Sequence, residues 1–389
     1  MSQAAFDSMN LGDDYFWNTK RNYVKMTLMD KLKLVRDVSK RYSNVLFFVS
    51  GFLFDALTLL RIDSTLDLVL QSCYLLGITL IITGQVYVEA GRWQPQGWVA
   101  RLWFYESEVI HFLYGGLLSA YVVLYFKSTS LSRSIIFFIF VFILLLANEM
   151  PQIRRLRSLL RPGLFAFCLI SYLNYLFPVL IGRMGDWIFL LAWVLSAGLL
   201  YLLVEKLANL YEDPKKARMR LGWAPVLVLV LVAIFYFNKW IPPVPLSMQY
   251  AGIFRNVEPQ AGGYRLTYLK PPWTDFWRKS DSLFLAREGE RVYFFTRIFG
   301  PSRFKHQVFL RWEYKDPHQN RWITSDRIPL PIKGGRDQGY RGYTYKENYQ
   351  PGKWRVEVET EDGRVLGGVV FWIEKDPSKG DRIFLERRM

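Results

Sequence analysis

Cysteine is nearly missing from this chain. Its 389 residues hold two, Cys73 and Cys168, each inside an apolar run. That excludes a disulfide framework and leaves both as small core hydrophobes. Histidine is scarce as well: of three, only His111 lies in an apolar run, while His306 and His318 fall in the C-terminal third. There is no zinc-protease motif, Gly-rich phosphate loop or catalytic Ser–His pair, so no cofactor is expected. The first 43 residues lack a short apolar stretch with a small-residue cleavage site. The first apolar segment is therefore expected to act as an uncleaved anchor.

What the chain has instead is long apolar runs. Hydrophobic residues are 51% and charged residues 22% of the whole. That average hides an asymmetry, because the apolar runs are confined to 44–240 and the last third reads as ordinary soluble sequence. A helix crosses the hydrocarbon core with roughly 20 apolar residues. Candidate spans lie at 44–60, 65–84, 107–127, 133–150, 163–181, 186–205 and 223–241. Runs such as Ile135 to Leu146 and Val226 to Phe237 are too long and too free of charge for ordinary soluble core helices. The first span is short and contains Asp55, with Arg61 nearby as its expected ion-pair partner.

Lys and Arg in short loops set orientation. The N-terminal tail and alternate loops hold about 19, among them Arg92, Arg101, Arg154, Arg155, Lys215 and Arg220; the other loops hold only Arg61, Lys127, Arg133 and Arg183. This places the N-terminus in the cytoplasm and, after an odd number of spans, the C-terminal domain outside it. Trp93, Trp98, Trp103, Trp187, Trp223 and Trp240 fall near span ends, where an apolar ring with a polar N–H suits headgroup depth. The segment 20–42 reads as a basic helix on the inner membrane surface or a solvated juxtamembrane helix, and 91–103 as a second interfacial piece.

Ionisable groups inside a bilayer are costly, so each needs a reason. The third span begins Tyr105-Glu106-Ser107-Glu108-Val109-Ile110-His111, which puts Glu108 and His111 on one helical face with Gly115 and Ser119. The fourth span ends Ala147-Asn148-Glu149-Met150-Pro151. Opposite chain directions bring Glu108, His111, Asn148 and Glu149 to a similar depth near the cytoplasmic face, level with Gln85 and Glu89. Three roles are open to this layer: a hydrogen-bonded network tying helices together, a binding or proton-relay site, or a metal site built on the Glu108/His111 pair. Metal sites of that type use two Glu-x-x-His motifs, and this chain offers one. Asn174 is a further polar outlier in the fifth span.

After Pro242-Pro243-Val244-Pro245 the composition changes. Strands are expected at 291–298, 307–314, 342–345, 354–359 and 365–373. Trp354-Arg355-Val356-Glu357-Val358-Glu359 alternates strictly, as a half-buried strand does. Glu361-Asp362-Gly363-Arg364 then supplies a hairpin turn. The expected architecture is thus a polytopic α-helical membrane bundle of about seven spans with a C-terminal all-β domain, an immunoglobulin-like sandwich. Its parts are a cytoplasmic basic segment (1–43), the bundle (44–241), a linker (242–250) and an extracytoplasmic β-sandwich (251–389). The last part holds about 26 Lys plus Arg against 18 Asp plus Glu, which suits anionic lipid headgroups or acidic polymers. Tyr340, Arg341, Tyr343 and Tyr345 superficially resemble a nucleic-acid surface, but an outside location argues against that partner.

His306, Trp312, Arg321-Trp322, Ser325, Gly352-Lys353-Trp354-Arg355-Val356 and Asp362-Gly363-Arg364-Val365-Leu366-Gly367 resemble the bacterial family called domain of unknown function 2914. The stretch from Gly115 through Ser130, followed by Leu144-Leu145-Leu146-Ala147-Asn148-Glu149, is similar to the membrane region that accompanies that domain. The resemblance implies a bacterial envelope setting and no activity. The expected function is a non-enzymatic inner-membrane protein whose periplasmic domain binds a protein or glycan. The competing expectation is a membrane-embedded enzyme or transporter that uses the polar layer.

Overall fold

A computed structural model describes residues 65–128, 131–149, 157–271, 273, 279–301, 305–333, 339–378 and 380–389. The basic segment and the first expected span, with Asp55 and Arg61, lie outside the described residues. Among the described residues seven helices come first: α1 (Thr65–Glu89), α2 (Gly97–Trp103), α3 (Glu106–Lys127), α4 (Leu131–Glu149), α5 (Arg157–Ile181), α6 (Asp186–Ala208) and α7 (Pro214–Phe237). Five of them, α1, α3, α5, α6 and α7, are long and apolar enough to cross a membrane. In α4 the apolar stretch Ser134–Leu146 is shorter than those five.

The helices form because their apolar residues run on past any 3.6-residue stripe, and burial sorts them. In α5 every side chain from Gly163 to Leu173 is buried, as expected of a helix that is apolar all round. It packs against α1, α3, α6 and α7. The outer helices keep rows of large apolar side chains exposed, such as Leu190, Leu191, Val194 and Leu195 on α6, and Val226, Leu227 and Val230 on α7. Exposed apolar surface on this scale suits a hydrocarbon environment and not water. Close approach is local: the Tyr74 ring lies where a Cβ on Gly116 would sit, 2.9 Å away, which lets α1 close on α3. α7 starts earlier than its apolar run, because Pro214 occupies a first-turn position and Asp213 accepts from the Lys216 N–H at 3.2 Å. Lys215, Lys216, Arg218 and Arg220 therefore ride on the helix and not in a loop. The short α2 buries none of its residues; its Trp103 ring covers Gly84 and meets Trp93 edge to face at 5.0 Å.

Eleven strands follow among the described residues: β1 (Ser247–Phe254), β2 (Asn256–Gln260), β3 (Gly263–Leu269), β4 (Leu283–Ala286), β5 (Val292–Phe299), β6 (Lys305–Lys315), β7 (Trp322–Lys333), β8 (Tyr340–Lys346), β9 (Gly352–Thr360), β10 (Val365–Lys375) and β11 (Phe384–Arg388). β1 begins inside the segment read as a linker. The strands make three sheets, ordered β1-β5-β8, β4-β10-β9-β6-β7 and β11-β3-β2. All pairs are antiparallel except β10 with β4.

The β1-β5-β8 sheet is the middle layer. One face, with Ile253, Phe294 and Ile298, shares a core with Leu310, Trp312, Val356, Val358 and Phe371 of the five-stranded sheet. Its other face, with Phe254 and Phe295, packs on Val257, Leu266 and Tyr268 of the third sheet. Adjacent Phe294 and Phe295 are therefore both fully buried, on opposite faces. The expected hairpin is present: β9 and β10 pair, and Gly363 takes φ +81° in the turn, a conformation that favours glycine. Pro329 and Pro331 are tolerated in β7 because it is an edge strand.

Candidate functional site

The polar residues of the bundle gather at its two ends. At one end, Gln85 near the close of α1 donates to the Glu106 carboxylate at the start of α3. Arg161, in the first turns of α5, lies 3.9 Å from the same carboxylate and donates to the Ser107 hydroxyl at 3.3 Å. Tyr114, buried about two turns along α3, donates to the Arg161 carbonyl at 2.8 Å. Nearby, Glu89 accepts from the Tyr211 hydroxyl at 2.8 Å and faces Arg220 at 3.8 Å, tying the end of α1 to the α6–α7 turn. This end carries Arg92, Arg101, Lys206 and the basic first turns of α7.

Two of the four residues expected in the polar layer have described side chains. Glu108 is exposed on α3 and His111 is half-buried one turn on. Asn148 and Glu149 close α4, but their side chains are outside the described set. Gln85 and Glu89, read as level with the layer, instead meet Glu106, Tyr211 and Arg220. Glu106 and Arg161 take the central positions, although sequence reading passed over Glu106 for its neighbour and counted Arg161 as a loop charge. Position two residues away on a helix turns a side chain by roughly 200°, so the choice between Glu106 and Glu108 depends on the facing helix. Among the described residues, no group of three or more His, Cys, Asp or Glu side chains could hold a metal.

The other end of the bundle meets the β region. Asp186 opens α6, Tyr236 closes α7 and Arg364 follows the β9–β10 turn. The Tyr236 hydroxyl donates to Asp186 Oδ1 at 2.8 Å, and the Arg364 guanidinium lies 3.7 Å over the Tyr236 ring and 3.6 Å from Asp186. The other face of the ring stacks on Phe189 at 3.5 Å. Asp362 holds Arg364 from within the turn at 3.2 Å. Met184, in the α5–α6 connection, packs on the β core. A cavity of about 50 Å³ lies here, bordered by Tyr121, Ser171, Asn174, Val244 and Arg364. That is room for a water or two and not for a metabolite. Asn174, the unexplained polar residue of the fifth span, thus faces the junction.

The β region holds its own charge clusters. On the outer face of the five-stranded sheet, Arg311 reaches Glu357 and Glu359, Arg355 reaches Glu313 and Glu357, and Arg327 reaches Glu359. The alternating charges of β9 are thus one half of a cross-strand ladder. A second cluster is buried: Arg255 pairs with Asp281 at 2.8 Å and Glu290 at 3.0 Å, and Arg382 joins Glu290 to Asp376 at 2.7 Å each. Burial pushes the Asp281 carboxyl up to about 6, against the pull of Arg255. An open cleft of about 770 Å³ lies by Tyr314, Asp316, His318, Ser325 and Tyr349.

These features define a multi-helix protein with apolar helices of spanning length and an all-β C-terminal region. Residues 305–373, from β6 into β10, match the family model described as protein of unknown function (DUF2914), the family that the sequence resembles. Comparison with curated proteins finds no match. Among solved structures the chain is similar to Pseudomonas fluorescens alkylpurine DNA glycosylase AlkC bound to DNA containing an abasic site analog. The identity is 9%, the likeness covers 81% of this chain and 99% of that one, and the TM-score is 0.22.

Proposed function

We propose that this chain is a non-enzymatic integral protein of the bacterial inner membrane. It holds a β-sandwich at a fixed pose on the periplasmic side, where the sandwich binds a protein or glycan. The observation that carries this reading is the Arg364–Tyr236–Asp186 junction, which docks the β region on the bundle end. A domain that only needed tethering would not require a buried guanidinium locked over a helix-end tyrosine. Seven spans, counting 44–60 and α4 with the five long helices, put the two termini on opposite sides. The basic end of the bundle, far from the β region, faces the cytoplasm by the positive-inside rule. The shared core of the three-stranded and five-stranded sheets supports the sandwich, with the third sheet as an added layer.

The enzyme or transporter alternative draws less support. Glu106 and Glu89 have protein partners that use their charge, which fits helix tying. The test has two arms. Alkaline phosphatase fused after Met389 should be active in cells; an inactive, stable fusion sinks the orientation. Deleting 246–389 should abolish the in vivo phenotype of the gene, and a deletion that leaves it intact sinks the binding-domain reading. Arg364→Gln should raise cleavage at 242–246 by limited proteolysis of the full chain about tenfold, for a loss of about 1–2 kcal/mol. Unchanged cleavage would mean the junction does not hold the pose.

A further inference from the structure

The core between the middle and five-stranded sheets opens at one end into the cleft of about 770 Å³ beside Tyr314 and Tyr349, both half-buried against that core. The volume falls in the range of small-ligand sites, roughly 300–1,000 Å³. The connections that frame it, 316–321 between β6 and β7 and 347–351 between β8 and β9, are described throughout. Its aromatic wall is held from several sides. The Tyr314 and Trp354 rings meet at 5.3 Å, and the Trp354 Nε1–H donates to the Gln350 carbonyl at 2.9 Å. The Tyr349 hydroxyl donates to the Glu290 carbonyl at 2.6 Å. Gly352 takes φ +138° against Tyr314, where a Cβ would sit 2.8 Å from the ring. A ligand entering here meets aromatic surface that needs little further ordering.

Polar groups stand around that wall. Ser325 is the extra residue of a bulge in β7, where pairing with β6 steps from Trp312–Asp326 to Glu313–Thr324. Bulges re-aim side chains. His318, Asn348 and Gln350 are exposed at the cleft, and Asp316 accepts from the His318 N–H at 2.8 Å. Among the described residues the lining includes no Lys or Arg, although the β region is basic. Lys346, behind Ser325, is buried and its charge is matched by Asp326.

This chemistry selects among ligands. A polyanion needs cationic walls, and this lining is neutral to acidic. An extended proline-rich peptide suits aromatic grooves but brings few N–H donors. It would leave the Asp316 carboxylate and the amide carbonyls of Asn348 and Gln350 unmatched. A hexopyranose hydroxyl both donates and accepts, and the C–H face of the ring packs on an aromatic side chain. The position also fits a ligand away from the bilayer. β9 runs from Gly352 at the cleft to Thr360 beside the turn whose Arg364 docks on the bundle. Trp354 to Thr360 is about 20 Å at about 3.4 Å per residue, so the cleft opens at the end of the β region remote from the junction.

We propose that this cleft binds an uncharged oligosaccharide, with Tyr314 and Tyr349 packing on sugar faces and Asp316, Asn348 and Gln350 bonding hydroxyls. The proposal rests on the reading of the β region as a binding domain and chooses a glycan over a protein as its partner. The full-length protein in phosphatidylcholine nanodiscs, which carry no sugar headgroup, is titrated calorimetrically with cellotetraose, maltotetraose and N-acetylchitotetraose. Decaproline is the peptide probe. At least one tetrasaccharide should bind, with an affinity that changes less than about twofold between low and high salt.

Tyr314→Ala should abolish that binding. Because Tyr314 packs on the core, the double variant Asn348→Ala with Gln350→Ala, both exposed, gives an independent readout and should weaken binding about tenfold or more. Glu258→Gln, on the third sheet where it pairs with Arg265, should bind like the wild type. The proposal is overturned by no tetrasaccharide binding, by undiminished binding in the double variant, by an equal loss in Glu258→Gln, or by decaproline binding more tightly than every tetrasaccharide. Sugar binding in nanodiscs does not depend on which side of the membrane the β region occupies. A bound sugar with an inactive phosphatase fusion therefore keeps the cleft and sinks the orientation, and an empty cleft with an active fusion does the reverse.

Discussion

The helical region and the β region solve the problem of buried charge in opposite ways. The helices keep their described interior almost free of it: α5 is surrounded by apolar side chains along most of its length, and ion pairs sit only at the bundle ends. The β region carries charge through its layers, with Arg255, Asp281, Arg382 and Asp376 each largely removed from solvent. The difference is the one expected of a membrane-embedded bundle joined to a domain in water. Around a bundle in hydrocarbon, a charge cannot reach water except at the ends. Three stacked sheets have many edges, and a guanidinium can reach a carboxylate on the next strand. Buried ion pairs add little net stability, but removing one partner is costly.

The contrast predicts that the β region depends most on its middle layer. Phe295→Ala, which empties the contact between the middle and third sheets, should destabilise the region by about 3–5 kcal/mol. The measurement is the denaturant midpoint of the full chain in micelles, followed by near-ultraviolet circular dichroism. A loss under about 1 kcal/mol would mean the third sheet is an ornament on a two-sheet core.

The buried cluster gives a pH test of the next size. Asp281 titrates at about 6 in the folded chain, above the usual carboxylate range, so the fold favours its protonated form. Its contribution is fully present below the unfolded value near 4 and is lost as pH rises through 6. The wild type should therefore lose on the order of 2–3 kcal/mol between about pH 4 and 7 relative to Asp281→Asn, which cannot ionise. Parallel stability profiles for the two proteins would show that Arg255 holds the carboxylate ionised throughout.

How much of this was legible depended on how many faces an element buries. The long helices announced themselves because hydrocarbon demands unbroken apolar runs. β9 was legible because one of its faces is polar, giving strict alternation, and β10 because the Asp362-Gly363 turn brings the chain back beside it. β1, reading Met248-Gln249-Tyr250-Ala251-Gly252-Ile253-Phe254, was not, since its apolar residues follow no period of two. β7 was hidden by Pro329 and Pro331, which look like breakers until the strand is known to lie at an edge. The junction left no local signal: Arg364 reads as a turn residue, and only the docking of the turn on Tyr236 gives it a role. The contacts at the polar end of the bundle were not legible. Loop arginines bear on which residues could share a depth, whereas the facing of each helix decides which of them touch.

That last distinction gives the smallest and sharpest test. Glu106 and Glu108 are two residues apart on α3, and composition cannot separate them. Glu106 meets Gln85 and Arg161, while Glu108 is exposed. Glu106→Gln removes the charge opposite a mostly buried guanidinium and should cost about 1–2 kcal/mol. Glu108→Gln should stay within about 0.5 kcal/mol, as exposed substitutions do. Thermal unfolding of the two variants in the same micelles compares them directly. Equal losses would mean that both carboxylates serve one network. A larger loss at Glu108, or loss of in vivo function by Glu108→Gln at normal stability, would return the polar layer to the status of a working site. The difference between the bundle and the β region would then no longer be one of charge avoidance.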